Sequence, residues 1–177
     1  MPYTYAFKII VVGDAAVGKT SLVNRYVSGE FSPEYFPTIG TNITEKSLNI
    51  YEFTIKLAIW NIAGDKRPEE VDKAFYQNAH AAIVVFDVSK LDTFQHVDGW
   101  CRAANQMTTP TFYIVCNKTD TGTSAVDREG ARKKADEYSA RYFEVSAKDG
   151  NNVNELFNRV LMDILKRRLN ELKARVA

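Results

Sequence analysis

Short, nearly unbroken apolar runs alternate along this chain with stretches of helical spacing. FKIIVVG (7–13), AAIVVFDV (81–88) and TFYIVCN (111–117) carry almost no polar interruption. Such runs predict parallel strands buried on both faces, because a strand with one wet face alternates instead. SLNIYEFTIKLAIW (47–60) predicts two strands joined by a tight turn near Tyr51, and RYFEVS (141–146) a last strand. Between the strands lie helical patterns. One follows the glycine turn, from about Lys19 to Ser28. A second carries Leu91, Phe94, Val97 and Trp100 on one side, and a third, polar-rich, begins after Asp127. Val153, Leu156, Phe157, Val160, Leu161, Ile164 and Leu165 then recur at helical spacing near the end. Strand–helix alternation of this kind predicts an α/β fold, a parallel sheet with helices on both faces. In such sheets ligands sit in the loops beyond the carboxyl ends of the strands.

Length and composition narrow this only a little. The 177 residues predict a single domain over 1–177, with 166–177 as a basic helical extension. A net charge of +1 gives no reason to expect nucleic acid as a partner. Cys101 and Cys116 lie far apart in apolar segments and read as reduced cytosolic thiols. The start MPYTYAFK lacks the form of a signal peptide, and no run approaches membrane-spanning length. Pro2 replaces the glycine that myristoylation requires, and the end ARVA holds no cysteine for prenylation. The expectation is a cytoplasmic monomer, membrane-associated only through a lipidated tail missing from this chain. In KRRLNELKARVA (166–177) basic residues outnumber Glu171 beside a leucine stripe. That pattern fits a solvated helix end, or less well a membrane-surface helix.

The chemistry lies in the loops after strands. GDAAVGKT (13–20) fits G-x-x-x-x-G-K-[ST] and stands between a strand and a helix, the context the motif demands. Its glycines let backbone wrap a phosphate chain, and the helix N-terminus adds donors and positive potential. Ala16, Val17, Gly18, Lys19, Thr20 and the following Ser21 are the candidate phosphate binders; Lys19 would reach the terminal phosphates and the Thr20 hydroxyl would bind Mg²⁺. NKTD (117–120) begins where TFYIVCN ends. An aspartate there can accept from both N1–H and the 2-amino group of guanine, a pair adenine lacks. Asn117 can tie the loops together, Lys118 can lie along the base, and SAK (Ser146, Ala147, Lys148) could present backbone N–H to the guanine oxygen. His80 and His96 have no partner at metal-ligand spacing and read as packing or surface residues.

With GDAAVGKT, the threonine of FPTIG, a glycine loop after Trp60, NKTD and SAK in this order, the chain resembles a Ras-superfamily small GTPase over about residues 5 to 165. FPTIGTNIT, KLAIW and FYQNAHAAIVVFDVS make the Rab branch the most similar. The resemblance implies a P-loop G-domain, six-stranded and mostly parallel with one antiparallel strand, binding GTP or GDP with Mg²⁺. It implies Thr38 as a Mg²⁺ ligand that senses the γ-phosphate, Phe31 on the guanine edge, and Tyr35 over the phosphates. It also implies effectors, an exchange factor and a GTPase-activating protein as partners. The effector-reading aromatics of Rab proteins correspond here to Ile43, Trp60 and Phe75, with only the tryptophan matching.

WNIAGD (60–65) departs from the family's W-D-x-A-G-Q. Asn61 stands where an aspartate orders a metal-bound water. Asp65 stands where a glutamine positions the attacking water, beside Gly64. Asn61 is expected to weaken the Mg²⁺ site without abolishing it. Asp65 has no amide N–H to offer, and its carboxylate would face an anionic phosphate. Lys66 and Arg67 are candidates to neutralise it. The methyls of Ala15 and Ala16 would crowd an incoming arginine finger. With Asp65, Gly64 and Lys19 as the catalytic candidates, the expected activity is a nucleotide-gated binding module with slow hydrolysis. The alternatives are a competent hydrolase with unusual groups and a nucleotide-locked scaffold.

Overall fold

The structure is a computed structural model that describes residues 3–107 and 110–176. The chain runs β1 (Tyr3–Val12), α1 (Lys19–Ser28), β2 (Thr41–Ile50), β3 (Phe53–Ile62), β4 (Ala81–Asp87), α2 (Leu91–Gln95), α3 (Val97–Met107), β5 (Thr111–Asn117), α4 (Arg128–Glu137), β6 (Arg141–Glu144) and α5 (Val153–Val176). The strands form one six-stranded sheet in the order β2-β3-β1-β4-β5-β6. Only the β2–β3 pair is antiparallel.

Alternation along β1 explains the two-sided burial. Phe7, Ile9 and Val11 join Leu22 and Val23 of α1 and Leu156, Phe157 and Val160 of α5 in one core layer. Ile10 and Val12 point the other way and join Val97, Trp100 and Cys101 of α3 and Ala131 and Ala135 of α4. Successive side chains on a strand face opposite sides, so a central strand with both faces covered needs an unbroken apolar run. Tyr26 and Phe157 stack with centroids 4.0 Å apart and bind α1 to α5. Truncating a buried phenylalanine of this kind costs about 3–5 kcal/mol. Burial pushes the Cys101 and Cys116 thiols up to about 12, so both behave as buried apolar groups.

The structure departs from the sequence reading in three places. β1 starts at Tyr3 because Tyr3 to Tyr5 continue the register opposite Phe53 to Ile55. β2 starts at Thr41, well before Ser47. It is an edge strand whose first half is mostly polar, and its one apolar residue there, Ile43, is exposed, so apolar periodicity does not mark that half. The helix expected across Leu91 to Trp100 is broken at His96, and Leu91 is exposed while Val97 and Trp100 are buried. Thr93 anchors the short α2 to the end of β4: its Oγ1 accepts from Asp87 N–H and donates to the Lys90 carbonyl.

Candidate functional site

β1 lies between β3 and β4, so the chain diverges to both sides of the loop that follows it, and a cleft of about 350 Å³ opens there. The loop folds as its glycines require. Gly13 has φ 137, and a Cβ there would lie 2.1 Å from the Val85 carbonyl oxygen. Gly18, with φ 92, caps α1 without a side-chain acceptor, so no side chain competes for the first-turn N–H groups. Lys19 Nζ donates to the carbonyls of Gly13 (2.8 Å) and Asp14 (2.6 Å). Burial lowers its pKa to about 8, against the pull of Asp14 and Asp65. Ala16 takes φ 61, a left-handed conformation that alanine adopts at a cost of about 1 kcal/mol.

The far end of the cleft is held by side chains. Asn117 Nδ2 donates to Val17 O (2.9 Å) while its Oδ1 accepts from Ala147 N–H (3.1 Å), which joins the phosphate loop to the SAK loop. Lys118 Nζ reaches Ala16 O and the buried Asp87 carboxylate, each at 2.7 Å. Burial alone would raise the Asp87 pKa, but Lys118 and Ser89 together hold it below the ordinary value. Ser146 Oγ donates to Asp120 Oδ1 (2.7 Å) and fixes that carboxylate, with Lys148 Nζ 3.7 Å from its other oxygen. Within the SAK segment, the Ala147 N–H is directed at Asn117. The Lys148 N–H of the next peptide takes no partner among the described residues.

A third cluster gathers neutral oxygens. Thr20 Oγ1 and Thr38 Oγ1 are 2.8 Å apart, and Asn61 Nδ2 donates to Thr20 Oγ1 at 2.8 Å. Asn61 is 2% exposed, and its Oδ1 is buried without a hydrogen-bond partner. Hydroxyl and amide oxygens suit a hard cation such as Mg²⁺, which keeps several waters and draws further ligands from substrate phosphates. The orphaned Oδ1 could accept from such a water, so the residues fit the ion, although none of the three carries charge.

Of the residues singled out in the sequence, Ala16, Gly18, Lys19, Thr20, Ser21, Phe31, Tyr35, Thr38, Gly64, Asp65, Asn117, Lys118, Asp120, Ala147 and Lys148 line the cleft. Val17, Asn61 and Ser146 are buried behind it and act through the bonds above. Gly64 packs so tightly that a Cβ would fall 2.2 Å from Gly13 O. Asp65 is exposed at the rim. Of Lys66 and Arg67, the two candidates to neutralise it, Arg67 is engaged elsewhere: it binds Glu70 through two side-chain donors and lies 3.8 Å from Glu69. Glu70 sits three positions along the same turn, within easier reach than Asp65. Trp60 is half-buried on an interior strand, with Lys8 Nζ 3.8 Å over its ring and Phe75 at 6.3 Å. Ile43 is exposed beside it, and Phe36 and Ile39 are 73% and 93% exposed.

Sequence reasoning missed two positions. Asp14, a variable place in the phosphate-loop pattern, accepts from Trp100 Nε1 (2.9 Å) and His96 Nδ1 (2.6 Å). This fastens the loop to α3, and the Asp14 hydrogen bond raises the His96 pKa. Arg25 donates to three loop carbonyls. Neither residue carries a local signal, because their partners lie 82 or more residues away in all but one case.

Fold and cleft together define a P-loop nucleotide-binding domain. The Ras family model matches residues 8–166, and the chain belongs to that family as a Rab-like small GTPase. It is 36% identical to the Ras-related protein RABA1c of Arabidopsis thaliana, over 92% of this chain and 76% of the relative. It is 38% identical to RABA4c of the same plant, over 92% and 74%, and 34% identical to RABA1b, over 93% and 77%. Membership makes the chain a GTP-binding switch whose ligands are GTP or GDP with Mg²⁺.

Proposed function

We propose that this protein is a guanine-nucleotide switch that holds GTP for long periods and recruits effectors in that state, in membrane traffic or signalling. Asp120 selects guanine, with Asn117, Lys118, Ser146, Ala147 and Lys148 shaping its pocket and Phe31 at the guanine edge. Lys19, the loop amides of Ala16 to Gly18, Thr20 and Ser21 bind the phosphates, and Tyr35 covers them. Thr20, Thr38 and Asn61 hold Mg²⁺, which when bound neutralises phosphate charge. Gly64 lets the second switch close on the phosphate loop, because it leaves no atom between itself and Gly13 O.

The observation that carries slow hydrolysis is Asp65: a carboxylate at the cleft rim with no cation from Arg67 to balance it. It has no N–H to place toward charge that develops in the transition state. Losing one preorganised donor commonly costs about 100- to 1000-fold. The methyl groups of Ala15 and Ala16, both in the cleft lining, narrow the approach of an arginine supplied by an activating protein. Exposed Ile43 with Trp60 and Phe75 forms the effector surface. Residues 166–176, the end of α5, extend the domain as a basic helix. No helix among the described residues is long and apolar enough to cross a membrane.

Nucleotide extracted from freshly purified protein, combined with single-turnover phosphate release, tests the proposal. The expected result is retained GTP and slow release. GDP alone with fast release would overturn it in favour of a competent hydrolase.

A further inference from the structure

One guanidinium ties the two ends of the base pocket together. Arg25, in the last turn of α1, donates from Nε to Ala147 O at 2.8 Å, from Nη2 to Lys148 O, and from Nη1 to Gly29 O at 2.6 Å. Its guanidinium carbon lies 5.9 Å from the Phe31 ring centroid. Ala147 and Lys148 line the cleft, as does Phe31. Arg25 therefore grips the SAK loop from behind and the entry to the first switch at the same time.

The peptide geometry gives this grip a consequence. In a trans peptide the C=O and the following N–H point in opposite directions. Drawing the Ala147 carbonyl toward Arg25, which does not itself line the cleft, turns the Lys148 N–H of the same peptide the other way. That N–H takes no partner from the described residues, whereas the Ala147 N–H is already committed to Asn117. A fixed, unpartnered donor at this end of the cleft suits the 6-oxo oxygen of guanine. Asp120, fixed separately by Ser146, suits the N1–H and 2-amino edge.

We propose that Arg25 is a positioning residue for purine specificity: it aims the Lys148 N–H and sets discrimination at the 6-oxo group, independently of Asp120. The inference rests on the guanine-binding reading above. A planar fork with several donors is needed to hold these carbonyls, and a lysine ammonium does not reproduce that geometry.

The test compares GDP with two analogues on the full chain. 2-Aminopurine riboside diphosphate lacks the 6-oxo group and with it the N1–H, and inosine diphosphate lacks only the 2-amino group. The lost N1–H contact to Asp120 is common to wild type and variants and cancels when their preferences are compared. Affinities are measured for wild type, Arg25→Lys and Arg25→Gln, with thermal melts run on the same samples. In both variants the preference for GDP over 2-aminopurine riboside diphosphate should shrink by roughly 10-fold, the effect of one well-aligned hydrogen bond. The preference for GDP over inosine diphosphate should hold. If both preferences stay at wild-type values, or both fall together with the melting temperature, Arg25 serves the fold and the assignment is wrong. Wild-type protein that does not prefer GDP to ADP would overturn the guanine reading itself, and the Arg25 role with it.

Discussion

The two ends of the cleft are built differently. At the base end nearly every polar group is held by another part of the protein. Asn117 bridges two loops, Ser146 pins Asp120, and Lys118 is locked between Ala16 and Asp87. At the hydrolytic end the groups are incomplete. Asn61 Oδ1 is buried without a partner, Asp65 stands exposed at the rim, and Phe36 and Ile39 of the first switch present apolar side chains to solvent. If this end binds the base as proposed, recognition is preorganised and the ordering cost is met during folding. A switch needs this asymmetry, because a segment can report what is bound only if the bound group supplies contacts the protein lacks.

The sharpest way to break this contrast is at Asp120. Asp120→Asn replaces the two acceptor oxygens with one acceptor and one donor. GTP affinity should fall about 1000-fold, from two lost charge-assisted bonds, while xanthosine triphosphate, with a 2-oxo group, gains. Competition binding reads this directly, and equal GTP affinity in wild type and variant would remove Asp120 from the base site.

The hydrolytic end should respond in the opposite sense, gaining from substitution. Asp65→Gln restores a donor at the rim and should raise single-turnover phosphate release by about 100-fold. Asn61→Asp should leave that rate nearly unchanged and tighten Mg²⁺ by roughly 5- to 10-fold, because it places a charge where a neutral amide now faces Thr20. Nucleotide release titrated against Mg²⁺ separates the two effects. If neither substitution moves its own readout, this end is complete as it stands and the contrast between the two ends is false.

The smallest effect concerns the brace beneath the loop. The Asp14 hydrogen bond raises the folded pKa of His96 above its ordinary value of 6.5. The unfolded chain therefore loses this proton first. The stabilisation is fully present below about pH 6.5 and is lost as pH rises through the higher folded value. His96 is largely exposed, so solvent screening keeps the term small. Wild type should melt about 1–2 °C above His96→Asn at pH 6, with the gap closing at alkaline pH. A gap independent of pH would mean that the contact acts by packing alone.

Much of the fold was legible in the chain because its signals are local. β1, β4 and β5 are buried on both faces, so apolar character had to appear in consecutive residues, as in IIVV, AAIVVF and FYIVC. GDAAVGKT and NKTD could be read for the same reason: a loop that binds through its own backbone and adjacent side chains carries its chemistry in one segment. The first half of β2 escaped notice because an edge strand has half its surface wet, and TNITEK has no apolar rhythm.

What only the tertiary structure decided are the relations between segments. Nothing in WNIAGD shows that the Asn61 amide donates to Thr20 and leaves its oxygen orphaned. Asp14 with His96 and Trp100, and Arg25 with Ala147 and Lys148, join positions separated by 82 to 123 residues. A hydrogen bond needs its partners within about 3 Å and well aligned. Whether residues so far apart along the chain meet that condition depends on how the sheet orders its strands, and no local pattern encodes that order.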